Sequence, residues 1–351
     1  MKNIIKKVGI VGEGKMGANI FNYLLDFPLE LTWICSKDAD PGALLKPVQK
    51  KLTRSRDSGI LTAEKFREKS DSLKISCELN DLAGCDLVIE AVTENLGIKK
   101  KLFKEIDMIV SGDTILASNS SSINPSGMIP SGKRETSMVG LHFFYPVALK
   151  NIVELIITRN TKEETINRMT NFLDTIKRKY LLLSEAYSFI LNRIFLDFQA
   201  EAYLMVHQGF LTIQQTDEIV REHFFPFGVF EFMDHVGIDT MYESVLNYTR
   251  DYPHRDYYAP LLDELKHLRD QGLLGKKSGK GFYDYSSGGT KTTVNKINDP
   301  GFQKVSEEVV KQLKNCYVLA FKRFAMQAHI PLNDLNDAVK EYFGVDQGPF
   351  D

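Results

Sequence analysis

His142 ends the segment Gly140-Leu141-His142, ahead of the aromatic, proline-stopped turn Phe143-Phe144-Tyr145-Pro146, and Glu154 follows in the apolar run Ile152 to Ile157. An imidazole held by a carboxylate is a common way to make a general base that works near neutral pH. A second group sits near the start of the chain, where Gly12-Glu13-Gly14-Lys15-Met16-Gly17 is a GxGxxG. Its first glycine permits a tight turn, its second lets backbone approach a pyrophosphate, and its third lets a helix pack close to a strand. A third group is Asn119-Ser120-Ser121-Ser122, small polar side chains that could cap a helix or offer hydroxyl and amide groups to a ligand.

These residues need elements to position them. Lys7 to Val11 reads as a strand running directly into the glycines, and a helical pattern follows to Asp26. That strand–loop–helix context is what the motif requires, and it turns the helix N-terminus toward the phosphates. Asp86 to Val92 reads as a buried parallel strand, with Glu94 in the loop at its carboxyl end, where open α/β sheets bind ligands. Lys99 opens the next amphipathic helix, and Ile115 to Ser118 is a further strand that delivers the serine cluster. Thr161 to Arg178 reads as a long helix with a capping box at Thr161 and Glu164, and Tyr180 to Leu183 closes the sheet. From Ser188 the pattern turns all-helical, with helices predicted from Ile190 to His207 and from Ile213 to His223.

The second strand, Glu30 to Ile34, should end in an acid that binds the adenosine ribose. Cys35 stands there, followed by Ser36 and Lys37, which could instead meet a ribose phosphate. The cofactor is therefore NAD or NADP, with weak discrimination against NADP(H) expected. Pro41 to Thr62 reads as a helix carrying Lys46, Lys50, Lys51, Arg54 and Arg56, either a solvated face or a patch for a phosphate-bearing substrate.

Composition narrows the classes. With 351 residues, 43% of them hydrophobic and 26% charged, the chain is an ordinary globular protein long enough for two or three domains. A net charge of −2 argues against a nucleic-acid footprint. No apolar run reaches the ~20 residues of a membrane span, and the N-terminal one is too short for a signal peptide. Cys35, Cys77, Cys85 and Cys316 lack metal-ligand spacing, so no metal is expected and the thiols read as free, in a reducing, cytoplasmic compartment.

The motifs GxGxMG, DLVIEAVTENLGIKKKLFKEID, ILASNSSS, GLHFFYP and VEL occur in the order of the L-3-hydroxyacyl-CoA dehydrogenase family, which the chain resembles over residues 5 to 285. The resemblance implies an α/β fold, with a Rossmann-like N-terminal domain built on a mostly parallel sheet (1–185) and an all-α substrate and dimerisation domain (186–285). It also implies hydride transfer between NAD(P) and a 3-hydroxyacyl-CoA/3-oxoacyl-CoA pair, in a homodimer acting in fatty acid metabolism. Carried over by position, His142 is the base, Glu154 orients it, and Ser121 and Asn192 hydrogen-bond the substrate oxygen. Glu94, Lys99 and Lys277 are implied to contact the cofactor with Gly12, Gly14, Lys15, Met16 and Gly17, while Ser36 and Lys37 are this chain's own candidates. The chain departs from the family at Cys35, at Tyr145 in place of an asparagine, and at Val229 in place of a proline. Two rivals follow: a relative acting on a hydroxy acid or sugar acid without CoA, and a non-catalytic dinucleotide-binding homologue.

Residues 286–351 extend past a minimal family member. SSGGTKTT reads as a linker. TIQQTDEIVREHFF from Thr212 then lines up with PLNDLNDAVKEYFG from Pro331, and Gly228-Val229-Phe230 with Gly348-Pro349-Phe350. A partial second copy of the helical unit is expected, packed on the first or covering the face a second subunit would take.

Overall fold

The computed structural model describes residues 4–286 and 300–351, apart from residues 131, 251 and 253. Two compact units divide it, Met1–Ser188 and Phe189–Asp351. The linker segment lies outside the described residues, Ser286 excepted.

The first unit runs β1 (Lys7–Val11), α1 (Lys15–Leu24), β2 (Glu30–Ile34), α2 (Pro41–Asp57), α3 (Ala63–Asp71), β3 (Leu73–Ser76), β4 (Leu87–Glu90), α4 (Leu96–Asp107), β5 (Ile115–Ser118), β6 (Met138–Phe143), β7 (Ile152–Ile157), α5 (Glu163–Thr175) and β8 (Lys179–Ser184). Its eight strands form one sheet in the order β3-β2-β1-β4-β5-β6-β7-β8, parallel except where β7 runs against β6. The strand residues alternate between two cores. Ile10, Leu87, Ile89, Ala117, Leu141 and Leu155 pack on one face with Phe21 and Phe172. Val11, Val88, Leu116 and Met138 pack on the other with Phe103 and Ile106. Burial on both faces explains the near-continuous apolar strands. The chain reverses direction in the sheet between β1 and β4, which puts a crevice beyond the carboxyl ends of those strands.

One expected signal is absent where the sequence suggested it. Thr161 does not open a capping box; its hydroxyl accepts the Thr158 N–H at 2.9 Å, and α5 starts at Glu163 behind an uncapped Lys162. A threonine can satisfy a neighbouring turn as readily as a helix end. A true capping box occurs instead at Thr212 and Gln215.

The second unit contains α6 (Ile190–His207), α7 (Ile213–His223), α8 (Val229–Val236), α9 (Ile238–Thr249), α10 (Ala259–Asp270), α11 (Pro300–Gln327) and α12 (Leu332–Phe343). Its core is aromatic: Phe198 meets Tyr317 of α11 at 5.7 Å and Phe195 meets Phe343 of α12 at 5.0 Å. The two segments aligned by sequence are locked the same way. Buried Asp217 accepts the backbone N–H groups of Phe230 (2.9 Å) and Glu231 (3.0 Å), and a Cβ on Gly228 would lie 2.3 Å from its carboxylate. At the matching place Asn336 accepts the N–H of Phe350 at 3.1 Å, and a Cβ on Gly348 would lie 2.1 Å from its side chain. At both places the glycine is required because a polar side chain already fills the space where its Cβ would go.

Candidate active site and dinucleotide cradle

β6 and β7 are antiparallel neighbours, and their register sets His142 directly opposite Glu154. The side chains meet with Nδ1 2.8 Å from a Glu154 carboxylate oxygen. Glu154 is fully buried and His142 is 5% exposed, so little water competes for this bond. A carboxylate only accepts, so Nδ1 carries the proton in the neutral ring and the lone pair is at Nε2. The Phe144 ring packs 4.4 Å from the imidazole and fixes its plane.

The glycine loop fits a dinucleotide pyrophosphate. Gly12 has φ +116°, and a Cβ there would lie 2.6 Å from the Ala91 carbonyl oxygen, so the β1–β4 crevice admits only glycine. Nothing lies within 4 Å of a Cβ placed on Gly14, which leaves its outer side open to a ligand. A Cβ on Gly17 would lie 2.0 Å from the Gly12 carbonyl oxygen. Gly14 caps α1 without any side-chain bond, so the first-turn N–H groups and the positive helix end face outward. The Trp33 indole donates to the Gly12 carbonyl at 2.9 Å and holds the loop in place. Lys15 lies over the Tyr145 ring, 3.8 Å from its centre, linking the loop to the turn after His142. Met16 packs on the core beneath.

At the carboxyl end of β4 the expected contacts divide. Glu94 collects the serine cluster, accepting the hydroxyls of Ser120 (2.5 Å) and Ser122 (2.9 Å) and the backbone N–H groups of Ser121 (3.2 Å) and Ser122 (3.1 Å). Burial works against its charge, but Lys99 and the two hydroxyls outweigh it and hold the carboxyl below the usual glutamate range. Lys99, expected to contact the cofactor, lies against Glu90 and Glu94. It is 1% exposed, with its ammonium 2.6 Å from Glu90 and 3.3 Å from Glu94. Geometry gives it a supporting position: a buried cation that aligns two carboxylates under the loop. Sequence reasoning missed Glu90, which also accepts the Ser118 hydroxyl at 2.6 Å and the Val92 N–H at 2.7 Å. A charged residue inside an otherwise apolar buried strand was the available signal.

Cys35 is buried at the end of β2, and its thiol is pushed up to about 11, first by burial and then by Cys77 and Glu13. Ser36 does not stand open to a ligand: Glu13 accepts its hydroxyl at 2.5 Å and its N–H at 3.0 Å. Lys37 is exposed. On α2, Lys51 is tied to Asp26 and the exposed Arg56 to Asp57, while Lys46, Lys50 and Arg54 are exposed on the same helix.

Two of the expected residues belong to the helical unit. The Asn192 amide donates to the Tyr248 hydroxyl at 3.0 Å, and its carbonyl accepts from the Tyr342 hydroxyl at 2.8 Å. Lys277 is ion-paired with Asp239 at 2.5 Å. Among the described residues no cluster of histidine, cysteine or carboxylate side chains could hold a metal, and no helix is long and apolar enough to cross a membrane.

A doubly wound sheet with a glycine cradle at its switch point and a histidine–carboxylate pair on neighbouring strands defines a nicotinamide-dinucleotide oxidoreductase. Family models agree and sharpen it. Residues 7–186 match "3-hydroxyacyl-CoA dehydrogenase, NAD binding domain" and residues 189–285 match "3-hydroxyacyl-CoA dehydrogenase, C-terminal domain", so the chain belongs to the 3-hydroxyacyl-CoA dehydrogenase family. It is 33% identical over 288 residues to a 3-hydroxybutyryl-CoA dehydrogenase of Mycobacterium tuberculosis, covering 81% of this chain and 100% of that one. It is 30% identical over 295 residues to the mitochondrial hydroxyacyl-coenzyme A dehydrogenase of Rattus norvegicus, covering 81% and 92%. A solved structure of Escherichia coli 3-hydroxybutyryl-CoA dehydrogenase, 18% identical, shares the fold over 98% of this chain and 90% of its own, with a TM-score of 0.82.

Proposed function

We propose that the protein interconverts a 3-hydroxyacyl-CoA and a 3-oxoacyl-CoA with a nicotinamide dinucleotide, and that His142 is its general base. The observation that carries this reading is the cross-strand His142–Glu154 bond on a sheet whose switch point offers a dinucleotide cradle. Family membership supports the substrate class. When bound, the dinucleotide supplies the hydride acceptor or donor.

The chain's own residues do the rest. His142 takes the proton of the substrate hydroxyl at Nε2, and Glu154 steadies the imidazolium that results. Ser121 and Asn192 are assigned to the substrate oxygen, whose charge grows as the proton leaves. The Gly12–Gly17 loop and the α1 N-terminus hold the pyrophosphate, with Lys15 and Met16 bordering it. Lys46, Lys50 and Arg54 are assigned to the phosphates of CoA. Lys277 keeps its assignment as a cofactor contact.

A homodimer through residues 185–285, in a cytoplasmic protein, completes the proposal. Because α11 already lies along α6, a second copy would dock on other helices of that unit. Sedimentation velocity tests the dimer, and a single monomeric species overturns it. Acetoacetyl-CoA-dependent oxidation of the reduced dinucleotide tests the activity. Turnover of a free hydroxy acid with none on the CoA ester would reassign the substrate, and binding without turnover would favour the non-catalytic reading.

A further inference from the structure

We infer that Glu13, inside the glycine loop, takes over the ribose-facing task that the acid after the second strand otherwise performs, and that it makes the site select NAD(H) over NADP(H). The inference rests on the proposed dinucleotide role of the Gly12–Gly17 loop.

Cys35 cannot do this work. It is buried, and its thiol stays protonated at neutral pH. The carboxylate comes instead from the neighbouring strand. Gly12 donates to the Ile34 carbonyl at 2.9 Å, which joins the carboxyl ends of β1 and β2. Glu13 is the next residue, and its two oxygens divide between the hydroxyl and the N–H of Ser36, one residue past Cys35. The carboxylate is thereby fixed beside the end of β2.

Glu13 is also charged. Burial alone would raise its pKa, but the Ser36 hydroxyl and N–H outweigh that and hold it below the usual range. A carboxylate has about four acceptor sites, and Ser36 uses two, one on each oxygen. Glu13's own N–H also bonds to the carboxylate, and what remains is left for ribose hydroxyls, which donate. A 2′-phosphate carries about −1.5 to −2 at neutral pH and only accepts, so it would meet a fixed anion. Ser36, a candidate for that phosphate by sequence, already gives its hydroxyl proton and its N–H to Glu13.

The test is direct binding, not turnover. NADH and NADPH are each titrated into the full-length wild type, Glu13→Gln and Lys37→Ala, following nicotinamide fluorescence, with a thermal melt of each variant to confirm folding. Wild type should bind NADH at least about tenfold more tightly than NADPH, within the range of a single charged contact. Glu13→Gln keeps the side-chain shape and should shrink the ratio to within about threefold, mostly by improving NADPH. Lys37→Ala should leave the ratio within about twofold, because the charge of an exposed lysine is screened. Equal affinities in wild type, an unchanged ratio in folded Glu13→Gln, or loss of NADPH binding in Lys37→Ala each overturn the inference while leaving the dinucleotide reading intact. Should Glu13→Gln not fold, the wild-type ratio and Lys37→Ala still decide. If neither nucleotide binds the wild type, the dinucleotide reading falls and this inference falls with it.

Discussion

The sheet unit and the helical unit fix their candidate polar groups by different means. In the sheet unit His142 and Glu154 face each other because β6 and β7 are in register, and backbone ladder bonds set that register. In the helical unit Asn192 is oriented by two tyrosine hydroxyls, one of them on α12, 150 residues further along the chain. Backbone register is over-determined and resists single substitutions. A side-chain relay can be altered by the loss of one oxygen atom. The two regions should therefore respond differently to mutation, and four variants test this in descending order of effect.

His142→Gln should lower turnover by roughly 100- to 10,000-fold, since it removes the proposed base and leaves the ladder intact. Dinucleotide affinity, measured by titration, should stay within about twofold, because the role proposed for His142 is on the substrate proton. Retention of more than a tenth of wild-type turnover would mean that another group is the base. Glu154→Gln should cost less, on the order of 10- to 100-fold in kcat, because the imidazole remains but loses its anionic support. A normal kcat would detach Glu154 from the reaction whatever the geometry.

Tyr342→Phe tests the relay. Losing one neutral hydrogen bond, worth about 0.5–1.5 kcal/mol, should lower kcat by roughly 2- to 12-fold and leave dinucleotide affinity unchanged. If kcat and dinucleotide affinity both hold, the α12 contact has no part in positioning Asn192 for the reaction. The smallest effect is a pH-dependent one on stability. The folded-state pKa of Glu94 is depressed, so its contribution is fully present above the unfolded value of about 4.3 and is lost as pH falls through the lowered folded value. Urea melts of Glu94→Gln should show a deficit near neutral pH that closes as pH falls below about 4. A deficit constant across that range would place the effect in packing and not in charge.

The same contrast explains what could be read without coordinates. The ranges Lys7–Val11, Glu30–Ile34, Ile115–Ser118 and Ile152–Ile157 were legible as strands because both faces are buried and the apolar run ends where the strand does. The glycine loop was legible because each glycine answers a steric demand. Thr161 misled because a threonine before a helix serves equally in a turn. Glu13 was passed over because a motif read for its glycines says nothing of the residue between them, and its meaning depends on Ser36, 23 residues away. Tyr342 could not be found at all, since no local pattern records that its hydroxyl reaches Asn192.

The packing of α11 along α6 also sets a timetable for synthesis. α6 is apolar on most of its surface, with Leu191, Phe195, Phe198 and Ala202 all buried in the finished protein. The helix that shields one flank begins at Pro300, after α7 through α10 have been made. At about 5–20 residues per second, α6 waits on the order of 5 to 20 seconds for that cover. During this interval the nascent chain presents an aromatic surface of the kind that holding chaperones recognise. A ribosome stalled before α11 would leave that surface exposed in an unfinished helical unit.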